Sequence, residues 1–489
     1  MKTTFPAELL VPIDRASDVP LHTQLERYLR HAVQTGRIPA HTSLPSTRSL
    51  AADLHIARGV VVECYEQLTA EGYFTSRAGS GTRVAAIRAQ ALRMPVDAPV
   101  EPAFGYDFIP GIPDASAFPR AAWLACLRRA FKNAQPDAFH YPELRGPRVT
   151  RIALASHLAR SRATVGGEER VVLCSGFAQG IDLVARLLRS KGVKTVAIED
   201  PGFGALRRRF QEVGIGTECV PLDDRGLVVE RLKRTSASVV VVTPAHQFPT
   251  GAGMTPDRRG ALLAWAARCN GLIIEDDYDA EYRYDREPLG ALQGLAPDRV
   301  IYIGTASKIL SPALRLGWML APEGVATELA RLKRRIDGGP PTLDQLALAQ
   351  FFASGEMDRH LRRMRQVYHR RRDLLIDALR EFFPDLRVRG VAAGLHLMLD
   401  LPKGSDEREV LRAAESRSIR IFGASRYRIR TAGHDAAIVL GYGCIEEALL
   451  REGVQALAGC VADAARPRAR TTRSPDARRS LAAGSERAC

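Results

Sequence analysis

The run YIGTASKILSPALRLG, residues 302–317, joins a strand pattern to a group of reactive and cationic side chains. Lys308 follows the apolar, β-branched residues 300–304, and the hydroxyls of Thr305 and Ser307 precede it. Arg315 lies seven residues further on. A desolvated lysine amine near other cations forms a Schiff base with a carbonyl, whereas hydroxyls and a forked guanidinium bind phosphate. Either this is a solvated lysine beside a buried strand, or it is a site for an aldehyde that carries a phosphate, as pyridoxal phosphate (PLP) does.

A second segment, LIIEDDYDAEYRY at 272–284, ends an apolar strand in a cluster of carboxylates. Open α/β sheets bind their ligands at the carboxyl ends of strands. A carboxylate next to the pyridine nitrogen of PLP keeps that nitrogen protonated, so that the ring accepts electrons. We assign this role to Asp276 and expect Tyr278 to hydrogen-bond the 3-oxygen of the ring. Asp277 and Asp279 are expected to be solvated or structural.

Two further strand-to-helix junctions supply a phosphate site and an aromatic ring. VVLCSGFAQGIDLVARLL, at 171–188, predicts a strand, a Ser-Gly turn and an amphipathic helix. The backbone N–H groups of Gly176, Phe177 and Ala178 would then begin a helix and bind phosphate. TVAIEDPGFGALRRRF, at 195–210, presents Phe203, which either stacks on the pyridine ring or packs in the core.

Together these segments resemble the fold-type I aminotransferases over residues 106–458, with DFIPGIPDASAFP at 107–119 and TPAHQFPTG at 243–251 in matching order. The resemblance implies an α/β domain with a mixed, mostly parallel sheet that binds PLP through Lys308. It also implies that Tyr141 reaches the phosphate of a neighbouring subunit, so that a homodimer completes each site. The alternative is that Tyr141 packs a loop.

Two positions depart from that family. Phe248 replaces the asparagine that typically bonds the 3-oxygen, which leaves Tyr278 and either His246 or Gln247 for this bond. The late segment AAIVLGYG, at 436–443, contains no arginine to bind a substrate carboxylate. Three arginines lie upstream but align with no such role: Arg426, Arg428 and Arg430.

Residues 20–84 predict a winged helix-turn-helix. A spacing of four places Leu21, Leu25, Leu29 and Val33 on one buried helix face. Ser46 is the expected N-cap of a second, short helix. The next helix has Val61, Tyr65 and Leu68 on a common face, and TSRAGSGTRV at 75–84 suits a basic hairpin.

This string resembles the GntR-type DNA-binding family. In that arrangement the second helix of the motif enters the major groove of double-stranded DNA and the wing approaches the backbone or minor groove. The resemblance assigns DNA contacts to Arg48 and Arg58 near the helix starts, and to Arg77 and Gly79 at the wing. Arg58 has two alternatives, an ion pair with Glu63 and a solvated position.

The composition suits a DNA-associated protein of more than one domain. The 489 residues are 46% hydrophobic and carry a formal net charge of +15, which favours polyanionic partners. From Ala464 onward there are seven arginines against two acidic residues, so a basic, disordered tail is expected. The eight cysteines show no metal-binding spacing, and no metal is expected. The chain shows no secretory signal and no stretch of roughly 18 to 20 apolar residues that would span a membrane, so a cytoplasmic location is expected.

We therefore predict a GntR-type winged helix-turn-helix at 1–86, a linker at 87–105, an aminotransferase-like PLP domain at 106–460 and a tail at 461–489. This organisation resembles the MocR/GabR regulators. The resemblance implies a bacterial transcription factor, a head-to-tail homodimer, that senses an amine, an amino acid or a B6 vitamer through PLP. One alternative is an active aminotransferase with an accessory DNA-binding head, and another is a DNA-binding protein whose body no longer takes PLP.

Overall fold

The computed structural model describes residues 12–77, 81–86, 104–285, 289–339, 341–429 and 435–465. The chain divides into two compact units, residues 1–102 and residues 103–489. Below, the first unit is called the head and the second the body. The predicted wing residue Gly79, most of the predicted linker, Arg430 and residues 466–489 of the predicted tail lie outside the described residues.

The head is the predicted winged helix-turn-helix. It contains three helices and a two-stranded antiparallel hairpin: α1 Leu21–Gln34, α2 Thr47–Asp53, α3 Arg58–Ala70, β1 Phe74–Arg77 and β2 Gly81–Val84. Ser46 caps α2 as predicted, because its Oγ accepts a hydrogen bond from the backbone N–H of Ser49 at 3.1 Å. Such a cap satisfies one of the free amides at the start of a helix.

The predicted faces of α1 and α3 form the core of the head. Leu25, Leu29 and Val33 are buried on α1, whereas Leu21 is only half-buried. The α3 residues Val61, Tyr65 and Leu68 are buried against them. The ring of Tyr65 meets Phe74 of the hairpin edge-on at 5.4 Å between centroids, which fixes the hairpin to α3.

The body is an α/β unit that carries the remaining elements. Its helices are α4 Arg120–Asn133, α5 Arg148–Arg162, α6 Gly176–Ser190, α7 Ala205–Glu212, α8 Pro256–Arg268, α9 Ala306–Ile309, α10 Glu323–Asp337, α11 Thr342–Ala353, α12 Glu356–Phe382, α13 Glu407–Ser416 and α14 Glu447–Ala465. Its strands are β3 Tyr106–Asp107, β4 Val171–Cys174, β5 Thr195–Asp200, β6 Gly216–Asp223, β7 Gly226–Leu227, β8 Val239–Val242, β9 Leu272–Asp277, β10 Val300–Thr305, β11 Gly317–Leu320, β12 Val388–Arg389, β13 His396–Asp400, β14 Ile419–Arg420, β15 Phe422–Gly423 and β16 Ala437–Gly441.

The large sheet of the body has eight strands in the order β4-β11-β10-β9-β8-β5-β6-β7. Its central pairs are parallel, and β11 and β7 run antiparallel to their neighbours. The prediction of a mixed, mostly parallel sheet is confirmed. Strands such as β4, β8 and β10 are buried at every residue, because helices cover both faces of a sheet of this kind.

A smaller antiparallel sheet, β12-β13-β16-β15, lies toward the end of the body, and β14 pairs in parallel with β3. The helix α14 continues to Ala465, five residues beyond the predicted domain end at 460, because Cys460 and Val461 are still buried in the core. Within the described residues, no helix has the length and apolar character needed to cross a membrane.

Candidate functional site

A cavity of about 310 Å³ opens in the body where β9 and β10 end. Nine of the predicted cofactor residues line it: Phe177, Ala178, Phe203, Asp276, Tyr278, Thr305, Ser307, Lys308 and Arg315. The strands β9 and β10 are parallel neighbours, and Asp276 pairs in register with Ile303. This register delivers the carboxylate and the lysine to the same edge of the sheet, as the sequence predicted.

The Lys308 amine is half-buried and lies beside Gly111, where an added Cβ would be 3.7 Å from Nζ. Burial lowers the pKa of this amine, although the nearby carboxylates of Asp279 and Asp276 oppose the shift. A lowered pKa increases the fraction of neutral amine, which is the nucleophilic form.

Asp276 is the buried acid of the cavity. Its side chain is enclosed, and its Oδ1 atom has no hydrogen-bond partner among the residues that the structure describes. Burial raises the pKa of this carboxyl well above its ordinary value, and the charges of Asp277 and Glu199 raise it further. An unpartnered acceptor in such a place fits a ligand that brings its own N–H group.

The opposite end of the cavity has the character of an oxyanion site. The helix α6 starts at Gly176 without a side-chain cap, so the amides of its first turn have no such partner. Gly176 has φ +79°, and an added Cβ there would meet the Arg315 guanidinium at 3.5 Å. Arg315 Nη2 donates to the Ser175 carbonyl at 2.8 Å. Gly176 itself is buried and is not among the residues that line the cavity.

Two hydroxyls complete this end. Thr305 Oγ1 caps α9 by accepting the Ser307 backbone N–H at 3.1 Å, and the two hydroxyl oxygens lie 3.0 Å apart. Backbone amides, hydroxyls and a guanidinium are the groups that proteins use to hold a phosphate.

Aromatic rings form the side walls. Phe203 is 43% exposed and meets Phe177 edge-on at 6.3 Å between ring centroids. Phe248 is perpendicular to Tyr278 at 6.2 Å and also contacts Tyr427 at 4.9 Å. Phe203 and Phe248 both line the cavity, so Phe203 does not pack in the core. Phe248 lies there in place of the asparagine that is typical of the aminotransferases.

Tyr278 is held from behind by a buried polar cluster. Its hydroxyl donates to the His246 carbonyl at 3.0 Å, and His246 Nδ1 lies 3.0 Å from an Asp279 carboxylate oxygen. His396 stacks obliquely on His246 at 4.7 Å, and potential ligand atoms of His246, Asp279 and His396 lie within 4.8 Å of one another. Asp279 was expected to be either solvated or structural, and at 1% exposure it is structural.

Asp277 is also structural. It faces away from Asp276 along β9 and accepts two hydrogen bonds from Arg162 on α5, at 2.7 and 2.9 Å. The Tyr302 hydroxyl donates to the same carboxylate at 2.7 Å. This buried pair ties α5 to β9 and β10 directly under the cavity.

Three polar or charged residues at or near the cavity were not predicted from the sequence. Arg209 and Thr243 line it, and Glu199 is buried behind it, where it accepts hydrogen bonds from Thr243 and Gln247. Burial raises the pKa of Glu199 to about 7. A signal for Arg209 was present, because Leu206, Arg209 and Phe210 have the i, i+3, i+4 spacing of one helix face.

The structure does not bring Tyr141 to the cavity within one chain. The side chain is 96% exposed and lines a separate cavity of about 510 Å³. Arg426 and Arg428 do not line the Lys308 cavity either; Arg426 lies over the Phe422 ring, and Arg428 donates to the Asp435 carbonyl.

In the head, two of the three arginines predicted to contact DNA are exposed near helix starts. Arg48 is the second residue of α2 and Arg58 is the first residue of α3. Arg58 Nε donates to Thr47 Oγ1 at 3.3 Å, and Glu63 lies instead 4.0 Å from His22. The backbone of Arg77 ends β1, and the turn with Gly79 is outside the described residues.

Comparisons with known proteins agree with both units. A family model described as bacterial regulatory proteins, gntR family, matches residues 21–84, and one described as aminotransferase class I and II matches residues 114–439. The HTH-type pyridoxine biosynthesis transcriptional regulator PdxR of Corynebacterium glutamicum is 34% identical over 91% of this chain and 97% of its own. The probable rhizopine catabolism regulatory protein MocR of Rhizobium meliloti is 32% identical over 92% of this chain and 95% of its own.

Among solved structures, a kynurenine aminotransferase of Pyrococcus horikoshii matches with a TM-score of 0.69 and 25% identity, over 75% of this chain and 93% of that one. A winged helix-turn-helix followed by an aminotransferase-like body defines a two-domain transcriptional regulator. The chain belongs to the MocR-type HTH transcriptional regulators of the GntR family.

Proposed function

We propose that this regulator binds PLP covalently through Lys308 and senses an amine, an amino acid or a B6 vitamer in the same cavity. The observation that carries the proposal is the unpartnered, buried Asp276 carboxyl, which shares one cavity with Lys308 and a phosphate-type cradle. We assign DNA binding to residues 1–86 and ligand binding to residues 106–460, the two domains expected from the sequence.

Each group of the site has a separate task in this proposal. PLP, when bound, supplies an electrophilic carbonyl and an electron-accepting ring. Lys308 provides the amine, and Asp276 accepts the N–H of the pyridine ring. The amides of Gly176, Phe177 and Ala178, together with Arg315, Thr305 and Ser307, hold the phosphate. Phe203 stacks on the ring, and Tyr278 bonds its 3-oxygen.

Sensing follows from competition for one carbonyl. An amine that enters the cavity competes with Lys308 Nζ for that carbonyl. When the incoming amine binds, Lys308 becomes a free, half-buried amine in the cavity wall. A ligand shifts a conformational equilibrium only when it binds the two conformations with different free energy. Freeing the lysine changes charge and contacts beside the buried acids, and it thus provides such a difference.

Regulation suits this cavity better than turnover. Phe248 lines the position where a donor to the 3-oxygen is expected, and β16, at Ala437–Gly441, contains no arginine. Catalysis requires contacts that tighten in the transition state, whereas sensing requires only differential binding. The competing proposal is an active aminotransferase, which the match to the kynurenine aminotransferase keeps open.

We further propose a head-to-tail homodimer in which Tyr141 of each chain reaches the phosphate of its partner. Tyr141 is 96% exposed, and Phe131 and Phe139, whose ring centroids lie 6.3 Å apart, are 47% and 58% exposed. Exposed aromatic residues in a group are typical of protein interfaces. The partner of the head is double-stranded promoter DNA, contacted through Arg48, Arg58, Arg77 and Gly79, and a bacterial regulator of this kind acts in the cytoplasm.

Absorption spectra and DNA footprints test the proposal together. Purified protein titrated with PLP should develop the visible band of lysine-bound PLP, and adding a cognate amine should shift that band and change the footprint on its own promoter. Steady-state assays with amino acids and 2-oxo acids should show negligible turnover. Turnover at roughly 1 to 10³ per second, the ordinary range of enzymes, with footprints indifferent to ligand, would establish the aminotransferase instead.

A further inference from the structure

Three cationic side chains line the Lys308 cavity, and the proposed function uses only two of them. Lys308 takes the carbonyl, and Arg315 is directed at the start of α6 through its bond to Ser175. Arg209, on the second turn of α7, has no role in that scheme.

The guanidinium of Arg209 is engaged by the protein on one side only. Its Nη1 donates to Asp182 Oδ2 at 2.6 Å and, more weakly, to the Ala178 carbonyl at 3.4 Å. Its Nε is buried and has no hydrogen-bond partner within the described part of the chain. Because an arginine donates through five N–H groups in a fixed plane, this leaves the Nε edge, which pairs side-on with oxyanions, unused.

The charges of the residues that line the cavity favour the binding of an anion. Among its lining residues the only carboxylic acid is Asp276, against Lys308, Arg209 and Arg315. Asp182, the ion-pair partner of Arg209, is 39% exposed and lies outside the lining. A buried guanidinium N–H without a partner costs free energy, and a ligand oxygen that accepts its hydrogen bond removes that cost.

We propose that Arg209 is an anion-binding residue of this cavity and that it pairs through its Nε edge with an oxyanion of the bound ligand. The inference rests on the proposed function, since it places the anion on a ligand of the same site. The oxyanion belongs either to the phosphate of the cofactor or to an acidic group of the effector amine. In both cases Arg209 restricts which ligands the cavity accepts.

A purely structural role for Arg209 would be to tie α7 to α6 through Asp182. That role depends on Nη1 and on the ion pair, whereas the proposed role depends on the free edge. Asp182→Asn removes the ion pair but keeps the guanidinium, so it separates the two roles. Arg208→Gln is the matched control for Arg209→Gln, because Arg208 lies on the same helix, carries the same charge and is exposed.

The experiment measures apparent dissociation constants from the visible band in the full-length protein. Wild type, Arg209→Gln, Arg208→Gln and Asp182→Asn are titrated with PLP and with pyridoxal, which lacks the phosphate. Each PLP-loaded protein is then titrated with pairs of an amino acid and the amine that its decarboxylation gives. Thermal unfolding of each variant shows whether the fold is retained.

If the phosphate is the partner, Arg209→Gln should raise the dissociation constant for PLP about tenfold or more and leave the constant for pyridoxal unchanged. If the effector is the partner, PLP should bind Arg209→Gln as it binds wild type. The dissociation constants for amino acids should then rise about tenfold relative to those for the corresponding amines. Arg208→Gln should behave as wild type, and Asp182→Asn should bind the anion at least as tightly as wild type.

Equal constants for Arg209→Gln and Arg208→Gln in all titrations would overturn the role of Arg209 while leaving the proposed function intact. A loss in Asp182→Asn equal to that in Arg209→Gln would assign Arg209 the structural role. A wild-type protein without the visible band would overturn the proposed function and this inference together.

Discussion

At the scale of single residues, Asp276 shows how the cavity is arranged for a ligand before any ligand is present. Leaving a buried polar group without a partner costs on the order of 1–3 kcal/mol. Asp276 Oδ1 is in that state, beneath a cavity that also holds Lys308 and Arg315. A ligand that donates an N–H to this oxygen removes the cost, so we expect the apo site to be less stable than the occupied one.

Lys308→Ala should abolish the visible absorption band that lysine-bound PLP gives, because no other lysine lines this cavity. The control is Lys194→Ala, which removes an exposed lysine just before β5. Spectra of both variants after addition of PLP and gel filtration are compared with wild type. A band that persists in Lys308→Ala would show that another residue binds the carbonyl.

Glu199 makes stability depend on pH in an identifiable direction. Its pKa is about 7 in the folded protein against an ordinary 4.5, because burial disfavours the carboxylate. The folded state therefore binds the Glu199 proton more tightly than the unfolded state does. The contribution of this proton to the free energy of unfolding is fully present below about pH 4.5 and is lost as the pH rises to about 7.

Glu199→Gln should therefore flatten the fall in unfolding free energy between pH 4.5 and 7, by on the order of 3 kcal/mol across that window. Urea unfolding of both proteins at several pH values measures the difference. The comparison variant is Glu218→Gln on the partly exposed strand β6, which should retain the wild-type slope. Parallel curves for Glu199→Gln and wild type would show that Glu199 titrates normally.

Site residues that follow directly after a strand could be predicted from the sequence. Site residues on a helix were harder to predict, because the helix register determines which side chains face the cavity. Lys308 and Asp276 follow apolar strands directly, so their local pattern predicted their position. Arg209 is one of three consecutive arginines on α7, and it lies on the same helix face as the buried residues Leu206 and Phe210. The spacing of these residues indicates that face, but the spacing alone does not show that the face borders the cavity. The Asp279–His246 contact joins residues 33 apart along the chain, and nothing in either local pattern indicates it.

At the scale of elements, the start of α3 determines how the head can meet DNA. Arg58 begins this helix, and its nearest polar partner, Thr47 on α2, forms a long 3.3 Å bond that holds the arginine only loosely. The residue is exposed, as is Arg48. Both can therefore turn toward a DNA groove without breaking an ion pair in the described part of the head.

Alanine at Arg48 or Arg58 should weaken binding to the protein's own promoter by roughly 1–3 kcal/mol if the side chain contacts a base, and less if it contacts only phosphate. Fluorescence anisotropy with labelled promoter DNA at fixed salt gives the affinities. Arg37→Ala, an exposed charge beyond α1, is the control, and PLP binding should not change in any variant. Wild-type affinity in both test variants would place the recognition surface elsewhere.

The buried pair of Arg162 and Asp277 links α5 to the two strands that carry the site. Arg162→Met should destabilise the body by about 3–5 kcal/mol, because it leaves the Asp277 charge buried without its partner. The double variant Arg162→Met with Asp277→Leu should recover much of that loss, since it removes both charges. Chemical unfolding monitored by circular dichroism measures the three values. Additive losses would show that the two side chains act independently.

Element types were predicted better than element ends. The strands that carry the site, and the helices of the head, follow from alternation, apolar runs and capping residues such as Ser46. The body was predicted to end at 460, but α14 continues to Ala465, because Cys460 and Val461 still pack in the core. Short elements such as β12, β14 and β15 contain two residues each and depend on their pairing partners, so no local pattern could define them.

At the scale of the whole molecule, the proposed homodimer makes each site depend on two chains. Lys308 lines its cavity, whereas Tyr141 projects from the same chain into solvent beside a different cavity. If Tyr141 contacts the phosphate in the partner's site, a chain with a substitution at Lys308 and a chain with a substitution at Tyr141 should together form one complete site.

Mixing Lys308→Ala chains with Tyr141→Ala chains should thus restore one intact site in each mixed dimer, because the Tyr141→Ala chain keeps Lys308 and its partner keeps Tyr141. Each variant alone should bind PLP poorly or not at all. The measurement is the visible band at low PLP concentration after the chains are unfolded, mixed and refolded together. Affinity in the mixture equal to that of Tyr141→Ala alone would show that Tyr141 serves its own chain or none.

Among the residues that the structure describes, the core of the head is formed by side chains from positions 25–84. A module that closes its own core can be cut and rejoined at one point in a gene without repacking its neighbour. Recombination could therefore give one effector-binding body a succession of different operator preferences. Exchanging residues 1–86 between two such regulators should redirect the target promoter while the ligand that controls it stays the same.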